Sequence, residues 1–263
     1  MEYVKVNSVV SDTRKFTEGS VEITAPSLPT VYTAAELVAA VALQTAGQFI
    51  HVAPGDYVLT AQLVIPYAAR QGGLIGIGGV TIIGAVAADS AIKVMGYAGG
   101  TMEYTLGGEI EISGGAGKTG LILSNAAVSQ KTILYVKDSV HFIDNGVGVG
   151  LAISNTGTGA IRLYVTCDFG TGWDTVTVTQ KNADDKFHFR GISFDEDLTA
   201  SATDIASNWL FDNCQLAHAA MKGGHANNVC NVVNCWTIET AAVAIPDAAD
   251  FPDAFAPTIM PAS

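Results

Sequence analysis

The chain has 263 residues, 49% of them hydrophobic and only 14% charged, and 13 Lys and Arg against 25 Asp and Glu leave a formal charge of −12. That hydrophobic share excludes a largely disordered chain. The acidic balance disfavours nucleic acids and anionic membrane surfaces as partners, because both are held by clustered Lys and Arg. A globule of ordinary surface carries about 25% charged residues, so Thr, Ser, Asn, Gly and Ala must cover much of this one, as on extended β-surfaces or faces covered by partners.

Residues 1–32 contain Pro26 and Pro29 and read as an extended N-terminal arm with a few short strands. Met1 to Lys5 shows no basic stretch leading into an apolar run, so synthesis in a cytoplasm without a secretory signal is expected. No transmembrane helix is expected either: the apolar stretch Ala34 to Ala46 is short and carries Glu36 and Gln44. The pattern becomes helical over 33–46. Thr33 with Glu36 three residues on has the spacing of a capping box, Leu37, Val38, Val41, Ala42 and Leu43 repeat at helical spacing, and Gly47 follows the end.

From Phe49 to about residue 240 the pattern is β. Short runs rich in Val, Ile, Thr and aromatics are bounded by Gly, Asn and Asp turns, beginning with Phe49 to Val52, Tyr57 to Leu59, Leu63 to Ile65, Leu74 to Ile77 and Val80 to Ile83. A sandwich and a parallel β-helix both fit such a series. The brevity of the strands, the alternation in Ile75-Gly76-Ile77 and Glu109-Ile110-Glu111-Ile112, and the helix ahead of the first strand favour the β-helix. Cys167, Cys214, Cys230 and Cys235 lie in or beside apolar runs at spacings that fit neither a metal site nor a disulfide framework, so they read as buried small hydrophobes. Residues 241–263 form an Ala- and Pro-rich, acidic C-terminal arm, in which Phe251 and Phe255 are candidates for contact with a partner.

The segment Tyr32-Thr33-Ala34-Ala35-Glu36-Leu37 through Phe49-Ile50-His51-Val52-Ala53-Pro54-Gly55-Asp56-Tyr57-Val58-Leu59 to Leu63-Val64-Ile65-Pro66 resembles the start of pectate-lyase-like right-handed β-helices, phage tailspikes among them. There an amphipathic helix caps the open end of the solenoid, which otherwise exposes apolar rungs and unpaired backbone. Val229-Cys230-Asn231-Val232-Val233-Asn234-Cys235-Trp236-Thr237-Ile238 is similar to that family's coil, with Asn at turns and Cys stacked inside. The resemblance covers about 32–85 and 205–240. It implies an all-β parallel β-helix over 33–240 with terminal arms, and it says little about function.

Carboxylates on one face of such a solenoid serve as acids, bases or nucleophiles. If the chain is an enzyme, a polysaccharide lyase or glycoside hydrolase, the candidates are Asp195 and Asp197, which a strand points to one side, with Arg190. Arg162 and the Asp184-Asp185 pair stand beside them as candidates, and the simpler alternative is a solvated, inert acidic loop after Phe194. His51, His141, His188, His218 and His225 show no ligand spacing, and Trp173, Trp209 and Trp236 are too few for a long sugar platform. Gly117-Lys118-Thr119 mimics the end of a phosphate loop, but a strand follows it and a phosphate loop needs a helix N-terminus. No cofactor and no metal are expected. The tailspike-like opening, the arms and the lack of a clear catalytic constellation lead to the expectation of a non-enzymatic virion protein: a homotrimeric phage capsid decoration (cement) protein, bound to the major capsid protein or other virion proteins. A tailspike depolymerase that binds or cleaves carbohydrate is the alternative, and a pectate-lyase-like carbohydrate-active enzyme the second.

Overall fold

The computed structural model describes residues 15–18, 21–24, 29–126, 130–144, 148–168, 170–180, 182–195, 198–200, 208–216, 221–223, 229–237 and 258–259. It is a parallel β-helix, as the strand pattern and the resemblance led one to expect. In the N-terminal arm, β1 (Lys15–Glu18) and β2 (Val21–Thr24) pair as an antiparallel hairpin. Next, β3 (Thr30–Val31) pairs in parallel with the first strand of the solenoid. The single helix, α1 (Ala34–Leu43), is capped as its sequence requires. The Thr33 hydroxyl accepts from the Glu36 N–H at 3.2 Å, and the Glu36 carboxylate accepts from the Tyr32 N–H at 2.8 Å. Leu37 and Val41 are buried on its inner face and close the first coil.

Each coil then supplies strands to three faces. The opening coil is β4 (Phe49–Val52), β5 (Gly55–Val58) and β6 (Leu63–Val64). In the next three coils the first two faces are made by one long bent strand, followed by a strand of the third face. These pairs are β7 (Gly72–Ile83) with β8 (Ser90–Met95), β9 (Thr101–Ser113) with β10 (Thr119–Asn125), and β11 (Lys131–Ile143) with β12 (Val149–Asn155). Later coils break at the corner into separate strands. One is β13 (Ala160–Cys167), β14 (Thr171–Trp173) and β15 (Val176–Gln180), and the next is β16 (Lys186–Arg190), β17 (Ile192–Phe194) and β18 (Leu198–Ala200). Then come β19 (Asn208–Asp212), β20 (Gln215–Leu216) and β21 (Met221–Gly223), then β22 (Val229–Val233) and β23 (Trp236–Thr237), and last β24 (Thr258–Ile259), which pairs with β22. The corner between the first two faces is a left-handed residue: Gly108, Asp138, Gly191, Asn213 and Asn234 all have positive φ there. At Gly108 a side chain would also overlap the Gly76 carbonyl of the coil before.

Because pairing is parallel and in register, like positions stack into columns. On the first face Ile50, Leu74, Leu106, Val136 and Val165 form one buried column. On the second, Tyr57, Ile82, Ile112, Phe142, Trp173 and Phe194 form another. The third holds Leu63, Ile92, Leu121, Leu151, Val176 and Leu198. Each fully buried aliphatic side chain stabilises the fold by about 1.5–3 kcal/mol. Gln44 seals the open end, donating to the carbonyls of Gln48 (2.7 Å) and Gly73 (3.1 Å) and accepting from the Tyr104 hydroxyl at 2.9 Å. Inside the solenoid Asn125 stacks on Asn155, and each donates to the Gly159 carbonyl at 2.8 Å. Cys214 lies over Cys235 of the next coil, and both are free thiols.

Candidate functional site

Where the second face ends, three successive coils each place an aspartate shortly after a buried aromatic. They are Phe142-Ile143-Asp144, Trp173-Asp174 and Phe194-Asp195. With Trp173 and Phe194 paired and pointing inwards, the alternation of the strand turns Asp174 and Asp195 outwards. Asp174 is half-buried, Asp195 exposed and Asp144 buried. The Asp174 carboxylate accepts the Asp144 N–H at 3.0 Å, and Thr175 donates its hydroxyl to Asp144 at 3.3 Å. Two residues back along the strands, the outward column runs Glu111, His141, Gly172 and Ser193. Gly172 leaves a notch there, and the Asp195 carboxylate folds into it: a Cβ on Gly172 would overlap that carboxylate. The Ser193 hydroxyl donates to Asp195 at 2.6 Å. The notch thus has His141 on one side and the Asp195–Ser193 pair on the other, with Asp174 beside it.

The two outward carboxyls sit in unlike surroundings, one half-buried and one exposed. Burial raises the Asp174 carboxyl above its ordinary value, the Asp144 N–H pulls it back, the charges of Asp144 and Asp195 raise it further, and His141 lowers it. A half-buried carboxyl of raised pKa beside an exposed, hydrogen-bonded one is an arrangement that acid–base chemistry on a sugar uses. Among the described residues no three of His, Cys, Asp and Glu form a group that could hold a metal ion.

The residues singled out from the sequence fare differently. Asp195 lies in this notch; Asp197, Phe251 and Phe255 lie outside the described residues. Arg190 does not join Asp195. It sits on β16 of the first face and forms an ion pair with Asp212 of the next coil at 3.4 Å. Asp185 does not reach the notch: it is wholly buried, accepting from Asn155 (2.7 Å) and from the N–H groups of Ile161 (2.6 Å) and Asn182 (2.7 Å). Burial pushes its carboxyl up to about 6, against the pull of those three donors. Trp173 and Trp209 are not sugar platforms, because both are core residues. His188 does face opposite to Phe187 and Phe189, packing edge-on against Tyr164. Asp174, His141, Gly172 and Ser193 were not picked out as a group. The recurrence of an aromatic followed by Asp at 173–174 and 194–195, one coil apart, was the signal that could have found them.

No family model and no curated protein matches the chain. One solved structure does: "Pectin methylesterase from Carrot", with a TM-score of 0.44 and 10% sequence identity, covering 98% of this chain and 91% of that one. That structure is named as an enzyme, which stands against the expectation of a non-enzymatic chain. The likeness transfers no residue role and no substrate to this chain.

Proposed function

We propose that the chain is a carbohydrate-active β-helix that cleaves a polysaccharide at the notch over Gly172. The observation that carries this reading is the pair Asp174 and Asp195, two outward carboxyls on neighbouring coils in unlike environments. Asp174, whose pKa is raised by burial and by the neighbouring carboxylates, gives a proton to the glycosidic oxygen as the bond to the anomeric carbon breaks. Asp195, oriented by Ser193, takes a proton from the water whose oxygen bonds to that carbon. His141, which lies near enough to act on Asp174, tunes the acid. Asp174→Asn and Asp195→Asn, made singly, should each lower the release of reducing ends from the polysaccharide at least a hundredfold, the scale of general acid–base catalysis, while the circular dichroism stays that of the wild type. Wild-type rates in both variants would overturn the reading.

A second reading is the one expected from the sequence, a homotrimeric structural protein of a phage particle, seated on the major capsid protein or in a tailspike. Two apolar surfaces suit such packing. One is the outer side of α1, where Val38 is 43% and Leu43 80% exposed. The other is a groove of about 500 Å³ lined by Val58, Leu59, Ile83 and Val86. The two readings are compatible in one molecule. Sedimentation of the full chain as a monomer would remove the trimer.

A further inference from the structure

The exposed apolar surface of the molecule is gathered at one end. Among the described residues the large hydrophobic side chains that stand exposed are Tyr32, Val38, Leu43, Val58, Val64, Ile77 and Val86, and all of them belong to α1, its approach or the first two coils. Single exposed hydrophobics are ordinary, but a set confined to one end is a patch. Val38 and Leu43 stand on the outer side of α1, whose inner side closes the first coil through Leu37 and Val41. Ala35, Ala39 and Ala42 are exposed beside them, and the one charged residue of the helix, Glu36, has its carboxylate engaged by the Tyr32 N–H. A helix that is apolar on both sides is suited to being covered on both. The rim of the first coil continues the patch: Val58 on β5 and Val64 on β6 are exposed, and the groove between Leu59, Ile83 and Val86 opens beside Val58. On the side away from the second coil, β5 and β6 pair with no strand among the described residues, and proteins keep such bare edges covered.

Charge is distributed the opposite way. From Val31 to Val86 the charged residues are Glu36, Asp56 and Arg70, and Arg70 lies over the Tyr67 ring, 5.0 Å from its centroid. Most of the 25 Asp and Glu come after Val86. At a net charge of −12 two copies repel one another over much of their surface, and the near-neutral end is where they can meet. Placed end to end, they hold their acidic coils further apart than the screening length of about 8 Å at physiological salt. The end is also large enough. Phe49 pairs with Gly73, 24 residues on. At about 3.3 Å per residue such a coil has a perimeter of about 80 Å and encloses about 500 Å², before its outward side chains are added. A stable interface buries about 800 Å² on each partner.

We infer that two copies of the chain associate N-terminal end to N-terminal end about a two-fold axis. The two α1 helices lie side by side. Each rests its Val38 and Leu43 over the β5–β6 rim of the other copy, against Val58, Val64 and the groove. The same surface serves on both sides, and an end that meets one other end closes the assembly at two copies. A charged partner finds little to recognise on so neutral a patch. The notch at Asp174 and Asp195 lies on later coils and stays open, so the association goes beyond the cleavage reading and does not depend on it.

Sedimentation equilibrium and small-angle X-ray scattering of the full chain at micromolar concentration test it. A dimer is expected, with a maximum dimension close to twice that of one copy. Val38→Glu with Leu43→Glu should weaken association about tenfold or more, because carboxylates would be buried unpaired in the contact. Val58→Glu should weaken it too, with circular dichroism unchanged in both variants, since all three side chains are exposed. Lys186→Ala, several coils away, should associate as the wild type does. A monomer would overturn the contact and leave the end to the chain's own N-terminal arm or to a different protein. A trimer, or a dimer no longer than one copy, would overturn the end-to-end geometry, as would wild-type association of the Val38→Glu, Leu43→Glu variant.

Discussion

The coils before Asn155 and those after Ala160 fill the same solenoid with different side chains. In the earlier coils the inward columns are mostly Leu, Ile and Val; in the later ones Trp173, Phe187, Phe189, Phe194, Trp209 and Phe211 take over. The coil contracts at the same time. Leu74 pairs with Leu106, 32 residues on, while Phe187 pairs with Trp209, 22 residues on. Fewer residues enclose the interior, and larger ones fill it. The rings interlock: Phe187 and Trp209 lie 4.5 Å apart, Phe142 meets Trp173 edge-on at 4.6 Å, and Phe189 stacks on Phe211 at 5.3 Å. Aliphatic columns make many interchangeable small contacts, whereas the aromatic cluster depends on a few large, mutually oriented ones.

The sharpest way to break this comparison is Phe189→Ala, which opens a ring-sized cavity among four aromatic neighbours. A loss of about 3–5 kcal/mol in urea unfolding is expected, and a loss no larger than that of an aliphatic trim would show that the two halves are not packed differently.

The seam between the halves should respond to pH. Asp185 has its carboxyl raised from 3.8 to about 6 in the fold. It therefore adds stability that is complete below pH ~4 and is lost as the pH rises through about 6, on the order of 3 kcal/mol at most. Urea midpoints measured from pH 4 to 7 should fall for the wild type, and Asp185→Asn should flatten that fall. A parallel fall in the variant would assign the effect to other groups, Asp174 among them. The smallest effect is expected in the aliphatic half, where Ile153→Val, deep in the third face, should cost only about 0.5–1.5 kcal/mol by the same measurement.

Much of the fold was legible in the sequence because it rests on local patterns. Thr33 and Glu36 mark the helix start, and alternating apolar residues mark the strands. The strands read as Leu74 to Ile77 and Val80 to Ile83 prove to be one bent strand, β7, with a register shift between Gly76 and Val80. A bend at a glycine looks like a break when only the sequence is read. The candidate site was legible in one residue, Asp195. Its partners were not, since Asp174 lies 21 positions earlier and His141 further still, and no local spacing ties them together.

By itself the sequence determined the capped, all-β solenoid and a surface poor in charge, because hydrophobic period, capping chemistry and composition are properties of neighbouring residues. The tertiary structure alone decided which polar groups meet. It buried Asp185 under Asn155, tied Arg190 to Asp212, set Asp174 beside Asp195, and brought Arg162 next to Lys186. The physical reason is the register between coils: a parallel ladder sets residues 21 to 32 positions apart one strand spacing from each other, and a shift of one residue would turn each of them to the opposite side.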